Sequence, residues 1–330
     1  MAPQARFITL PDGSRRFTLL HTPVGPARGC LLYVHPFAEE MNKSRRMAAE
    51  QARRFAAAGW VVLQWDLFGC GDSDGELADA TWSAWCEELR WAAGWLRERH
   101  PLPLWFWGLR AGALLACEAA AGLAEPPGLL LWQPASNGKL VAQQFLRLKV
   151  AAELIGGQAK GVMQALRAEL ASGQTVHIGG YGLRAALIEG LEAAQMQARP
   201  GTPALVWLEQ GEGDAPAPAS QRQLDAWRAA GVPVRSALWR GPAVWQTVEI
   251  EDALMLEGHE FDLVVKIDSL NMEPYGVPNV QESPPRHPFA RPQCSLEWVA
   301  SKDLRPEGYA LNQITIARLR VSRNELTHDA

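Results

Sequence analysis

Trp105-Phe106-Trp107-Gly108-Leu109-Arg110-Ala111-Gly112 decides how this chain is read. An apolar run ends in two glycines four positions apart, and Ala113-Leu114-Leu115-Ala116 continues with small and apolar residues suited to a helix. This is the frame of a sharp strand-to-helix turn, G-x-S-x-G, whose glycines let the middle side chain rise above a sheet as a nucleophile. Arginine holds the middle place here. A guanidinium stays charged at every accessible pH and cannot attack a carbonyl. The frame is present without its chemistry.

Outward from that turn, short apolar runs alternate with helical patterns. Arg6–Leu10 and Phe17–His21 flank Pro-Asp-Gly-Ser and read as a hairpin. Cys30–His35 is a strand, Pro36–Ser44 a loop, and Arg45–Ala58 a helix with Ser44 as its N-cap. Trp60–Trp65 and Pro103–Trp107 are the next strands, separated by the polar turn Asp66–Gly75 and a helix over 82–99. The helix after Gly108 runs to about Leu123, and Gly128–Trp132 is another strand. From Ser136 to Arg199 the strand rhythm lapses, with helices expected over Gly138–Ile155, Ala159–Ala171 and 183–195. It resumes at Ala204–Leu208, a helix at 219–230, Val234–Trp239 and a last helix around 244–257. The alternation predicts an α/β fold, a mostly parallel doubly wound sheet with an N-terminal hairpin and a helical cap at about 136–199.

Two domains are expected, 1–259 and 260–330, because composition changes after His259. Alanine thins out and seven prolines between Pro274 and Pro306 crowd the stretch, which predicts an extended or disordered appendage. The 330 residues carry a net charge of -4 with both signs interspersed, so no basic stripe for nucleic acid stands out. Five cysteines lack C-x-x-C spacing, which argues against zinc or a disulfide framework. No apolar signal core or 18-residue apolar run is seen, so a cytoplasmic protein with no membrane span is expected. No cofactor and no metal is expected. The tryptophans at helical spacing, Trp82, Trp85, Trp91 and Trp95, read as core packing.

The order of these segments resembles the α/β-hydrolase superfamily. More narrowly, Tyr33–Arg46 with its His-Pro-Phe-Ala-Glu-Glu segment, Leu67–Ser73, Trp107–Gly112, Leu131–Pro134 and Gly241–Thr247 are similar to the exosortase A system-associated hydrolases of the hydrolase 2 type. The resemblance spans about residues 5–257 and leaves the tail uncovered. It implies an accessory protein of exopolysaccharide and PEP-CTERM sorting systems, with a small-molecule or polysaccharide-pathway partner.

A serine hydrolase needs a nucleophile, a histidine after the last strand, an acid and two backbone N–H donors. The resemblance places the oxyanion loop at His35-Pro36-Phe37. Phe37 and Ala111 are its candidate donors, since Pro36 has no N–H. None of the seven histidines (21, 35, 100, 177, 259, 287 and 328) falls in 240–247, where the base belongs. His177 and His259 are the remaining options for a rewired base. Glu209, Glu212 and Asp214 follow the penultimate strand as candidate acids, or as a solvated loop. Arg110, at a helix N-terminus, either binds an anionic group or pairs internally with Glu39, Glu40 or Asp66. Two classes of function follow. One is hydrolysis of an ester or thioester by a nonstandard site, and the other is a catalytically degenerate hydrolase that binds an anion or acts as a scaffold.

Overall fold

Strands covered on both faces read as continuous apolar runs, and here each such run lies inside a sheet. The computed structural model describes residues 2–155, 160–197, 199–239, 243–246, 295–298 and 317–320. The chain divides into two units, Met1–Gly276 and Val277–Ala330. In the first, the strands are β1 (Gln4–Thr9), β2 (Arg15–His21), β3 (Gly29–Val34), β4 (Trp60–Trp65), β5 (Leu104–Leu109), β6 (Gly128–Trp132), β7 (Val176–Ile178), β8 (Tyr181–Leu183), β9 (Leu205–Gln210) and β10 (Val234–Trp239). Eight of them form one sheet in the order β1-β2-β4-β3-β5-β6-β9-β10. β1 and β2 run antiparallel, β2 joins β4 antiparallel, and the rest pair in parallel.

Helices wrap this sheet: α1 (Glu39–Ala57), α2 (Trp82–Arg99), α3 (Ala111–Ala121), α4 (Gly138–Ile155), α5 (Val162–Ala171), α6 (Ala185–Ala193) and α7 (Pro218–Ala229). The period of two along each strand sorts its side chains onto two faces. Leu32, Leu63, Phe106 and Leu131 face one buried cluster with α2 and α3, while Leu31, Val62, Trp107 and Leu130 face another with Met47, Ala52 and Phe55 of α1. Trp82, Trp85 and Trp95 are buried in the first cluster. The N-terminal hairpin is tied in by Arg16, whose Nε lies 2.9 Å from Glu88 Oε2 on α2, both side chains only 4% exposed.

Two local expectations need correction. The first helix begins at Glu39, not Arg45, so Ser44 lies inside it, buried, with its Oγ donating to the Glu40 carbonyl at 2.7 Å. A serine hydroxyl that bonds back four residues reads in sequence like a cap although it sits mid-helix. The real first turn carries Glu39 and Glu40, whose charges suit a helix N-terminus. Between β6 and β9 the helices α4, α5 and α6 are joined by a hairpin, β7 paired with β8, where Gly179 and Gly180 supply the positive φ of the turn.

In the second unit, β11 (Ser295–Trp298) pairs antiparallel with β12 (Ala317–Arg320). The sequence of the tail holds two short β-like runs, Leu263–Ile267 and Gln313–Leu319, and β12 overlaps the second. The run at Leu263–Ile267, most of the expected helix at 244–257, and the remaining expectations for 260–330 lie outside the described residues.

Candidate functional site

At the end of β5 the chain turns directly into α3, and Arg110 takes φ 55° and ψ -120° to do so. A Cβ on Gly108 would stand 2.6 Å from the Ala113 Cα, and one on Gly112 would stand 2.2 Å from the Val34 carbonyl oxygen. Only glycine lets the turn fold back on α3 and lets α3 press against the end of β3. The Arg110 N–H donates to the Trp132 carbonyl, and the Arg110 carbonyl accepts from Ala113 and Ala135, each at 3.1 Å. The elbow expected from the two glycines is therefore built, and arginine occupies its apex.

The Arg110 side chain does not reach freely into solvent. Its Nε lies 3.2 Å from Glu40 Oε1, and the two side chains keep 16% and 17% of their exposure. The indole of Trp245 covers its guanidinium at 5.3 Å from the ring centre. Trp245, 3% exposed, sits in the segment after β10 where a hydrolase carries its histidine. Burial pushes the Glu40 carboxyl above its usual range, against the opposing pull of Arg110. Of the three carboxylates that could meet Arg110, Glu40 is the one that does. Glu39 is its neighbour in the first turn of α1, with Oε2 buried and unpartnered. Asp66 instead accepts from Arg45 Nη2 at 2.7 Å and from the Asp72 N–H at 3.1 Å.

His35 is held by backbone on both sides of its ring. Nδ1 lies 2.8 Å from the Pro36 carbonyl, so it carries the proton, and Nε2 accepts from the Leu67 N–H at 3.4 Å. Burial holds its pKa below the usual histidine range. Neutral and doubly bonded, the ring braces the loop after β3. Phe37 is buried in the same loop, edge-on to Phe145 of α4 at 5.2 Å and to Trp85 at 6.3 Å. Ala38 precedes α1 with φ 48°. Asn42 Nδ2 donates to Tyr181 Oη at 2.9 Å, so the segment carrying α4 and the β7–β8 hairpin rests on this loop and on α1. Ala111 opens α3 directly after the apex.

The remaining candidates lie elsewhere. Glu209, at the end of β9, is buried and accepts from Trp207 Nε1 at 3.0 Å and from the Ala217 N–H at 3.3 Å. Asp214 is exposed in the loop before α7, and His177 is exposed on β7. His259 lies outside the described residues. Cys30, Cys70, Cys86 and Cys117 are free thiols, and burial raises all four above their usual range. Among the described residues no three metal-ligating side chains cluster, and no helix is long and apolar enough to cross a membrane. Trp245 was legible only within the Gly241–Thr247 segment of the resemblance, and nothing in its spacing pointed to Arg110.

The chain has the α/β-hydrolase fold. Residues 25–171 match the serine aminopeptidase S33 family model, Hydrolase_4. No curated protein sequence matches the chain. Among solved structures, a thermostable carboxyl esterase from Bacillus coagulans, in complex with glycerol, is similar with a TM-score of 0.53 and 16% identity, over 82% of this chain and 99% of that one. Est1E from Butyrivibrio proteoclasticus, with ferulic acid bound, gives a TM-score of 0.53 and 16% identity over 80% and 100%. The α/β hydrolase domain-containing protein 10 from mouse gives 0.51 and 16% over 81% and 98%. At such identities the shared property is the fold.

Proposed function

We propose that this chain is a catalytically degenerate α/β-hydrolase-fold protein of the exosortase A system-associated hydrolase 2 type. It serves exopolysaccharide and PEP-CTERM sorting systems in the cytoplasm as a binding or scaffold component. The observation that carries the loss of serine chemistry is the elbow itself, where Arg110 is paired with Glu40 under Trp245. The motifs from Tyr33 to Thr247 support the association with that system. With Glu40 neutralising it, Arg110 serves as an internal strut and holds no external anion.

A second reading, hydrolysis of an ester or thioester by a nonstandard site, is favoured by one observation. Glu40 is a half-buried carboxyl whose proton affinity is raised, the property of a general base, beside a loop where Phe37 and Ala111 would be the oxyanion donors. Fluorophosphonate labelling and turnover of p-nitrophenyl esters separate the two. The first reading expects no labelled serine and no turnover above a heat-denatured control. Turnover abolished by Glu40→Gln would establish the second. For the biological role, deleting the gene should alter surface polysaccharide or sorting of PEP-CTERM proteins, and a deletion without either effect would remove the exosortase assignment.

A further inference from the structure

A second cavity lies away from the elbow. It encloses about 360 Å³ where α6 meets α2 and α3, within the size range of small-molecule sites. Its α3 wall, Cys117 and Glu118, lies six and seven residues along the helix from Ala111, about 10 Å of helical rise away from the elbow. Close approach of the helices shapes it, since a Cβ on Gly190 of α6 would stand 2.5 Å from the Cβ of Trp82 on α2.

The lining is divided by chemistry. Trp82 and Cys117, with alanines of α6, make an apolar floor. Glu118 supplies a carboxylate, fixed by Trp82 Nε1 donating to its Oε2 at 2.8 Å, with Oε1 left over. Across the cavity the segment after α6 brings Gln195, Gln197 and Arg199. Arg199 forms no ion pair among the described residues, with Glu118 or any other carboxylate, although both line the same space. Its charge is felt at the Cys117 thiol. One anion, one unpaired cation, two amides and an apolar floor around one cavity complement a ligand carrying both charges on an apolar body.

We infer that this cavity is a binding site for a small amphipathic zwitterion of the α-amino acid class. Glu118 takes the ammonium group, Arg199 the carboxylate, and the floor between α2, α3 and α6 the apolar side chain. A carboxylate is matched better by the planar fork of arginine than by a point charge, and an ammonium is matched by the free carboxylate oxygen. The inference is independent of whether the elbow is catalytic.

Isothermal titration calorimetry of the full chain tests it, with free leucine, N-acetyl-leucine and leucinamide as probes. Leucine should bind, and each derivative, lacking one charge, should bind at least about tenfold more weakly. Glu118→Gln keeps the acceptor for Trp82 and should weaken leucine while leaving N-acetyl-leucine unchanged. Arg199→Gln should weaken leucine while leaving leucinamide unchanged. Ala193→Phe, at an exposed position of the lining, should block all three probes, with circular dichroism confirming the fold. Absence of leucine binding at millimolar concentration overturns the proposal, as does binding indifferent to all three substitutions.

Discussion

Glu40 and Arg110, 70 residues apart, meet because one opens the helix after β3 and the other caps the helix after the neighbouring strand β5. Parallel pairing of β3 with β5 brings their C-terminal ends side by side, so the pair is set by the sheet and closed over by Trp245.

Removing one partner leaves the other charge partly buried. Arg110→Ala should therefore destabilise the protein by about 2–4 kcal/mol, near the low end for a buried pair because some exposure remains. Arg110→Met combined with Glu40→Met should recover most of that loss. Urea unfolding of the two singles and the double measures the coupling. Additive losses would show that the two groups do not stabilise one another.

Arg110→Ser restores the G-x-S-x-G pattern but should not restore a serine hydrolase. His35 has both ring nitrogens engaged by backbone, and 240–258 contains no histidine to take the proton. Fluorophosphonate labelling of the variant is expected to equal that of the wild type. A labelled Ser at position 110 would reveal a base that the fold supplies from elsewhere.

The two glycine environments predict opposite signs. Gly112→Ala drives a Cβ into the Val34 and His35 carbonyls, at 2.2 and 2.5 Å, and should cost more than about 4 kcal/mol or prevent folding. Gly94→Ala, inside α2 with nothing within 4 Å, should stabilise by about 0.5–1 kcal/mol. Thermal melting of both variants checks the contrast.

Burial depresses His35, and also His21 and His100, below the ordinary value of 6.5. Below 6.5 the unfolded chain binds protons that the folded chain refuses, so their contribution is complete above that pH and is lost as pH falls through the depressed values. Urea midpoints should drop between about pH 7.5 and about pH 5. The carboxyls of half-buried Glu40 and buried Glu88 act in the opposite sense, so the decisive comparison is His35→Asn, which should show a smaller drop than the wild type. An equal drop in both would show that His35 does not take part.

Much of the architecture was legible because it rests on local signals. The apolar runs at β3 to β6 and the two glycines of the elbow require no knowledge of distant partners. The start of α1 was misplaced because Ser44 imitates a cap, while the true first turn follows His35-Pro36-Phe37 without a capping side chain. The β7–β8 hairpin was missed because three-residue strands carry no periodicity. Three carboxylates suited Arg110 equally by charge, and only the side-by-side ends of β3 and β5 choose Glu40. The cavity between α2, α3 and α6 was invisible, since its walls come from three separate stretches of chain between Trp82 and Arg199 that only the folded helices bring together.

Among the described residues, the non-glycine positions with positive φ are Ala38, Arg110 and Gln133, at 48°, 55° and 43°. They follow the C-terminal ends of β3, β5 and β6. Such backbone costs about 1–3 kcal/mol at each position and is usually ascribed to the reaction it serves. Here the apex carries no nucleophile, yet the contortion persists. It is a demand of geometry, the cost of passing from a buried strand into a helix without a connecting loop. Turn shape therefore belongs to the fold and not to the residue at its apex, so the same contorted backbone can present an arginine as readily as a nucleophile.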